Sequence, residues 1–390
     1  MDYGYRGFEM NDDDYYDADR ALKIANIFYV IFFFIFGIFS FVVFNNGEKW
    51  LGKIVNTKYT EDYMIRLSCV VRTTCPMAVW YLLHAIITIC NTDLNGNTFQ
   101  FKFHTSLLWI HAISYGIITA AFWFIPDAFY SFYLEFSIYA SGIYLVMQLI
   151  FLIDFFNTLN EKLVNVNKLW IIGVITAVLG VGSLVAFGVS YYIFTFNDCN
   201  DHKIFISINM CCCFALFVAA AFIPHGSIFT ASLVTVYVAY LTIAGMICLS
   251  QCNRLTNGGK PMLWLSIIAS LITLTLATYS AFASSNQLDA CSFTVNDEES
   301  NNYRNDLSDN TNVGKKPKFS LSFFHLLFMF ASIYITMIVT HWGKAGEDAA
   351  WTIDKGVIAR WVNFASSWAI IILYAWSLVA PYIFKNRNFD

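Results

Sequence analysis

Charged residues are scarce in this chain, and the sequence motifs of common enzyme classes are missing from it. Asp, Glu, Lys and Arg make up only 13 % of its 390 residues, whereas a soluble domain carries about 25 %. There is no phosphate-binding loop, no His-Glu-x-x-His zinc motif and no Gly-x-Gly-x-x-Gly turn. We therefore expect neither an ATP-driven engine nor covalent catalysis, and we expect no metal, no cofactor and no nucleic-acid partner.

The few charges are clustered, and the intervals between them predict membrane spans. An uncharged, apolar run of about 18 or more residues is typical of a transmembrane helix. The longest interval, residues 204–253, holds 50 uncharged residues, and the stretch Ile-Pro-His-Gly at 223–226 divides it into two spans. Period-2 alternation, which would indicate strands, is missing from these intervals. The chain is therefore predicted to be all-α, a polytopic membrane protein with about ten transmembrane helices.

The polar segments divide the chain into three parts. Residues 1–23 form an acidic tail with seven acids against three bases, which is not the composition of a signal peptide. Residues 24–385 form the transmembrane domain, with a polar connection at about 286–319, and residues 386–390 form a short C-terminal tail. Ten spans place both termini on one side. Lys and Arg are divided too evenly between the two sides to decide the orientation.

Two cysteines lie in polar connections on the same predicted side of the membrane. These are Cys199 and Cys252, so a disulfide between them is compatible with the topology, and free thiols are the alternative. Most other cysteines lie in or beside spans, where cysteine behaves as a small apolar residue.

The segment at 148–164, Gln-Leu-Ile-Phe-Leu-Ile-Asp-Phe-Phe-Asn-Thr-Leu-Asn-Glu-Lys-Leu-Val, combines a span with a polar stripe. Asp154, Asn157 and Glu161 are spaced i, i+3, i+7 and share one helical face. Helix-compatible sequence extends over 128–164, roughly 55 Å, which exceeds a bilayer with its headgroups. The stripe is either the amphipathic end of a helix leaving the membrane or one entrance for lipid headgroups.

Polar residues inside other spans allow two interpretations. Ser232, Thr235 and Thr242 align on the seventh span and either support helix packing or form a polar track for headgroups. Four histidines also fall in or near spans, and an isolated intramembrane histidine is more typical of packing than of a proton relay. They are His84, His111, His325 and His341.

Several stretches resemble the serine incorporator (Serinc) family of eukaryotic membrane proteins. The resemblance covers most of residues 65–385 and is carried by 148–164, 199–209, 231–246, 319–342 and 360–381. It implies two helical bundles joined by a long tilted helix, to which the fourth span corresponds. It also implies a role with phospholipids, either serine delivery for lipid synthesis or ATP-independent scrambling.

These observations lead to a hypothesis of passive phospholipid handling, with bound phospholipids as ligands and membrane lipids as partners. Asp154, Asn157 and Glu161 are expected at one entrance, with Arg72 as a phosphate partner. The alternative is an accessory subunit of a larger membrane complex, docked through the acidic tail, that has lost transport. A homo-oligomer is compatible with both. The expected location is an endomembrane or the plasma membrane, or the mitochondrial inner membrane for the accessory subunit.

Overall fold

A computed structural model describes residues 12–51, 62–89, 98–165, 169–195, 199–224, 226–247, 321–340, 342 and 351–383. Every regular element within these ranges is an α-helix, which confirms the all-α prediction. The helices are α1 (Asp12–Leu51), α2 (Asp62–Ile87), α3 (Phe99–Thr105), α4 (Leu108–Phe122), α5 (Asp127–Asn165), α6 (Leu169–Phe194), α7 (Asn200–Phe222), α8 (Ile228–Ile247), α9 (Leu321–Val339) and α10 (Trp351–Ile383).

Eight of the described helices are long and apolar enough to cross a membrane, and α3 with α4 adds a ninth if the pair counts as one bent span. The division of the long uncharged interval is confirmed, because α7 ends at Phe222 and α8 begins at Ile228. The span predicted within residues 261–288 and the polar connection at 286–319 lie outside the described residues. The polytopic fold is therefore confirmed, and the count of ten is approximate.

Two hydrophobic cores share α5. The first core contains side chains from α1, α2, α4, α9 and the first half of α5, including Tyr144. The second contains side chains from α6, α7, α8, α10 and the second half of α5, beginning at Leu149. The two-bundle arrangement joined by one long helix, which the family resemblance implied, is thus present in the structure.

Helix α5 has 39 residues, which corresponds to about 58 Å at 1.5 Å per residue. A bilayer with its headgroup regions is about 40–45 Å thick. Helix α5 must therefore tilt, protrude from the membrane, or do both. The helix predicted over 128–164 is confirmed with a shift of one residue at each end.

Helix α1 begins at Asp12, inside the segment assigned to the acidic tail, and its apolar portion begins at Arg20. Ala18 and Leu22 are buried in a small cluster with Phe101 and Leu321. The last turns of the predicted tail are therefore helical and packed against the body of the protein, because two apolar side chains lie among the charged ones.

The third predicted span is broken in the structure. Helices α3 and α4 meet at an angle of 79°. The backbone N–H of Ser106 donates a hydrogen bond to the carbonyl of Lys102 at the end of α3. The next residue, Leu107, adopts a left-handed conformation with φ of 58°. Left-handed backbone is uncommon for a residue other than glycine, and composition does not indicate it. An uncharged interval predicts that a segment is apolar but does not predict that its helix is continuous.

Candidate functional site

A row of buried polar side chains runs along α5 where its contacts change from the first core to the second. We call Ser137, Ser141, Tyr144 and Gln148 the polar seam. Their spacing of i, i+4, i+7 and i+11 places them on one face of the helix, and each is at most 1 % exposed. Buried polar groups inside a bilayer are costly and mark functional or packing sites.

The polar seam is closed by neighbouring helices in this structure. The Ser137 hydroxyl donates to the carbonyl of Tyr133 at 2.6 Å, and the Tyr144 ring lies 5.2 Å from the ring of Tyr334 in α9. The Ser141 hydroxyl has no hydrogen-bond partner among the described residues. The four polar side chains of the seam are therefore buried between helices and are not exposed to solvent in this structure.

The beginning of α5 holds a buried ion pair. Arg72 of α2 is 1 % exposed and its Nη2 lies 2.9 Å from Oδ1 of Asp127, the first residue of α5. The same nitrogen donates to the carbonyl of Ile125 at 3.0 Å. The guanidinium also contacts the Ser68 hydroxyl and lies 4.5 Å above the ring of Tyr130. The charge of Arg72, which we predicted as a phosphate partner, is thus already paired inside the protein.

The other end of α5 carries the polar stripe predicted from the sequence. Asp154 and Glu161 are exposed, and Asn157 is half-buried. Asp154 follows Asp127 by 27 positions, which is about 40 Å along a helix. The structure therefore places Arg72 and the stripe at opposite ends of α5, and it does not bring them to one entrance. The stripe and the polar seam also lie on different faces, because Asp154 is exposed where Leu152 and Phe156 are buried.

The hydroxyls predicted on the seventh span belong to α8, and all three are buried. Ser232, Thr235 and Thr242 each donate to a carbonyl of their own helix at 2.7–2.8 Å. Thr242 also accepts from Asn209 of α7 at 2.7 Å. Because these hydroxyls are satisfied inside the protein, their geometry favours the packing interpretation over the polar track.

Cys199 lies just before α7 and is disulfide-bonded. Its predicted partner, Cys252, lies outside the described residues, so the pairing of these two cysteines stays a prediction.

Four histidines that are far apart in the sequence meet in the first bundle. Three of them, His84, His111 and His325, were expected singly in or near spans, whereas His104 was not singled out. No short spacing in the sequence indicates the cluster. Within the described part of the chain, no group of three or more His, Cys, Asp or Glu is arranged to hold a metal ion.

Fold and site together define a polytopic α-helical membrane protein with two bundles built on one overlong helix that is polar at both ends. Comparison with known proteins gives the family. The family described as Serine incorporator (Serinc) matches residues 20–387, and the chain belongs to it.

The relatives span most of this chain at low identity. Serine incorporator 2 of Homo sapiens is 26 % identical, over 70 % of this chain and 69 % of that protein. Serine incorporator 3 of Bos taurus is 24 % identical, over 94 % and 92 % respectively. A probable serine incorporator of Nematostella vectensis is 27 % identical, over 85 % and 82 %.

Proposed function

We propose that this chain is a passive lipid-handling protein that lets phospholipid headgroups cross the membrane along α5 while the acyl chains remain in the bilayer. The observation that carries the proposal is the polar seam of α5, four buried polar side chains on one face between two polar helix ends. An apolar face would suffice if α5 only connected the two bundles.

The seam lowers the cost of moving a headgroup through hydrocarbon. A polar group without a partner in an apolar environment costs several kcal/mol, about 2–7 for an amide or hydroxyl. The hydroxyls of Ser137, Ser141 and Tyr144 and the amide of Gln148 can each exchange a hydrogen bond with phosphate or with the water that accompanies it. The polar ends of α5 then offer sites where headgroups approach.

Headgroup passage requires the seam to open, because its side chains are buried in the closed form. The opening we propose is a separation of α5 from α9, which the Tyr144–Tyr334 contact bridges. Transport of this kind runs down a gradient and needs no covalent step and no nucleotide. We place the activity in an endomembrane or the plasma membrane.

The names of the relatives suggest which headgroup to test first. They are called serine incorporators, so serine-containing phospholipid is the first candidate substrate, with phosphatidylcholine as the comparison. The acidic groups Asp154 and Glu161 favour a headgroup that carries an ammonium, and both lipids do.

The test is leaflet exchange in liposomes that contain the purified full-length protein. At first only the labelled lipid of the outer leaflet can react with an added reductant. Without ATP, we expect the reacted fraction to rise towards all of the labelled lipid, and to rise faster than in protein-free vesicles. Exchange no faster than in protein-free vesicles would refute the proposal. If that result came with a stable hetero-complex in a gentle detergent, the accessory-subunit hypothesis would be favoured instead.

A further inference from the structure

Four histidines surround the ring of Tyr29 in the first bundle. His84 comes from α2, His104 from α3, His111 from α4 and His325 from α9, and all are at most 5 % exposed. Their ring centroids lie 4.9–6.1 Å from that of Tyr29. Four separate helices therefore bring titratable rings to one buried position that the proposed lipid pathway does not use.

His84 and His111 form a chain of three close polar contacts. Nδ1 of His84 lies 2.8 Å from the carbonyl oxygen of Trp80. Nε2 of His84 lies 3.0 Å from Nδ1 of His111. Nε2 of His111 lies 2.8 Å from the carbonyl oxygen of Phe103. All three distances are hydrogen-bond lengths.

These contacts need three protons. A carbonyl oxygen only accepts, so both outer nitrogens must carry N–H, and the inner contact needs a third proton on one of its nitrogens. A neutral imidazole carries one N–H, so two neutral rings supply two protons. The pair makes all three hydrogen bonds only when it holds one extra proton and a single positive charge.

The second histidine pair shows the contrast. His104 places Nε2 3.0 Å from the side-chain oxygen of Asn26 and Nδ1 3.0 Å from Nε2 of His325. Two N–H groups satisfy both contacts, and Nδ1 of His325 has no partner among the described residues. This pair is therefore complete when both rings are neutral, and the need for an extra proton is specific to His84 and His111.

Aromatic rings pack against the His84 end of the pair. The His84 ring lies 4.2 Å from the ring of Trp80 in a tilted arrangement and 5.8 Å from that of Tyr29 in an edge arrangement. Without the extra proton, either two nitrogen lone pairs face each other at 3.0 Å or a buried carbonyl loses its donor, and both outcomes are unfavourable.

We propose that His84 and His111 form a binding site for one proton, and that the bound proton fastens the α3–α4 break to α2. The contact from His111 to Phe103 crosses the 79° bend, and the contact from His111 to His84 ties α4 to α2. When the proton leaves, the neutral pair makes only two of the three hydrogen bonds. The break is released where the lost bond is one of the two that His111 makes, either to Phe103 or to His84.

The numbers of protons bound in the closed and open forms decide how pH acts. Relative to two neutral rings, the closed pair holds one extra proton. Two water-exposed histidines hold two extra protons well below about pH 6.5 and none well above it. The closed form is therefore favoured at intermediate pH. It weakens in acid, because the open form takes up a second proton, and it weakens again as rising pH removes the shared one. Among the described residues, the ionisable side chains that face the pair and its neighbours include Tyr29, Tyr81, His104 and His325.

The test is amide hydrogen exchange of residues 98–111 in the full-length protein in lipid nanodiscs, across pH and corrected for the intrinsic pH dependence of exchange. Wild type should show protection that passes through a maximum. His111→Gln offers two N–H donors without a charge, so its protection should rise with pH and then stay flat. His202→Gln removes a buried histidine of the second bundle, which also contacts a carbonyl, and should keep the wild-type profile. Identical profiles for wild type and His111→Gln would overturn the proposal.

A second test needs no variant and therefore does not depend on His111→Gln being folded. It is nitrogen NMR of ¹⁵N-histidine-labelled wild type in the same nanodiscs, which reports which ring nitrogens carry a proton. Near neutral pH we expect three protonated ring nitrogens from His84 and His111, and two at alkaline pH. Two protonated nitrogens throughout the range in which the protein stays folded would overturn the proposal.

Discussion

Removing the guanidinium of Arg72 tests whether the beginning of α5 is held by a buried charge pair. Arg72→Met keeps most of the apolar stem but removes the cation that faces the carboxylate of Asp127, itself only 12 % exposed. Breaking a buried ion pair on one side costs about 3–5 kcal/mol. We expect the free energy of unfolding, measured by titration with SDS in mixed micelles, to fall by about that amount.

The double variant Arg72→Met/Asp127→Asn separates the charge effect from packing. With both charges absent, we expect a loss below about 2 kcal/mol, because neither buried charge remains to be compensated. Lys102→Met is the control, since Lys102 is an exposed cation on α3 and its loss should change stability by no more than about 0.5 kcal/mol. If Arg72→Met were as mild as Lys102→Met, the inferred pairing would be wrong.

Two further predictions concern the second bundle. Asn209 donates to two hydroxyls and accepts from a tryptophan, so Asn209→Ala should lower the unfolding free energy by about 1–3 kcal/mol. Asn45→Ala, which removes an exposed amide bonded to its own helix, should have little effect in the same titration. Cys199 should resist maleimide until the protein is reduced, and Cys252→Ala should make it reactive without reduction. A Cys199 that stays protected in Cys252→Ala would show a different partner.

The long helix and the divided interval could be predicted because they depend on local composition. The run at 128–164 contains no proline, and Pro224 with Gly226 interrupts the apolar run between α7 and α8. The break at Leu107 depends instead on a backbone conformation that its side chain does not encode. Part of the predicted tail proved helical because Ala18 and Leu22 find apolar partners that are distant in the sequence.

The sequence likewise predicted where polar residues lie along a helix but not which residues of other helices they contact. The stripe at Asp154 was visible as a helical spacing, but its separation from Arg72 required the knowledge that Arg72 pairs with the first residue of α5. His104 and His325 are 221 positions apart, and no periodicity in one sequence brings such residues together. Contacts between helices therefore had to come from the structure.

The most direct measurement of the central proposal is the leaflet exchange rate of wild type against a variant with a blocked seam. Ser141→Leu places a bulky apolar side chain among the polar groups of the seam, whereas Ser190→Leu makes the same change at a buried serine of α6, away from the seam. With both variants folded and reconstituted at equal density, we predict exchange at least about tenfold slower for Ser141→Leu, corresponding to about 1.4 kcal/mol, and near wild type for Ser190→Leu. Equal rates for all three proteins would contradict a headgroup path along α5.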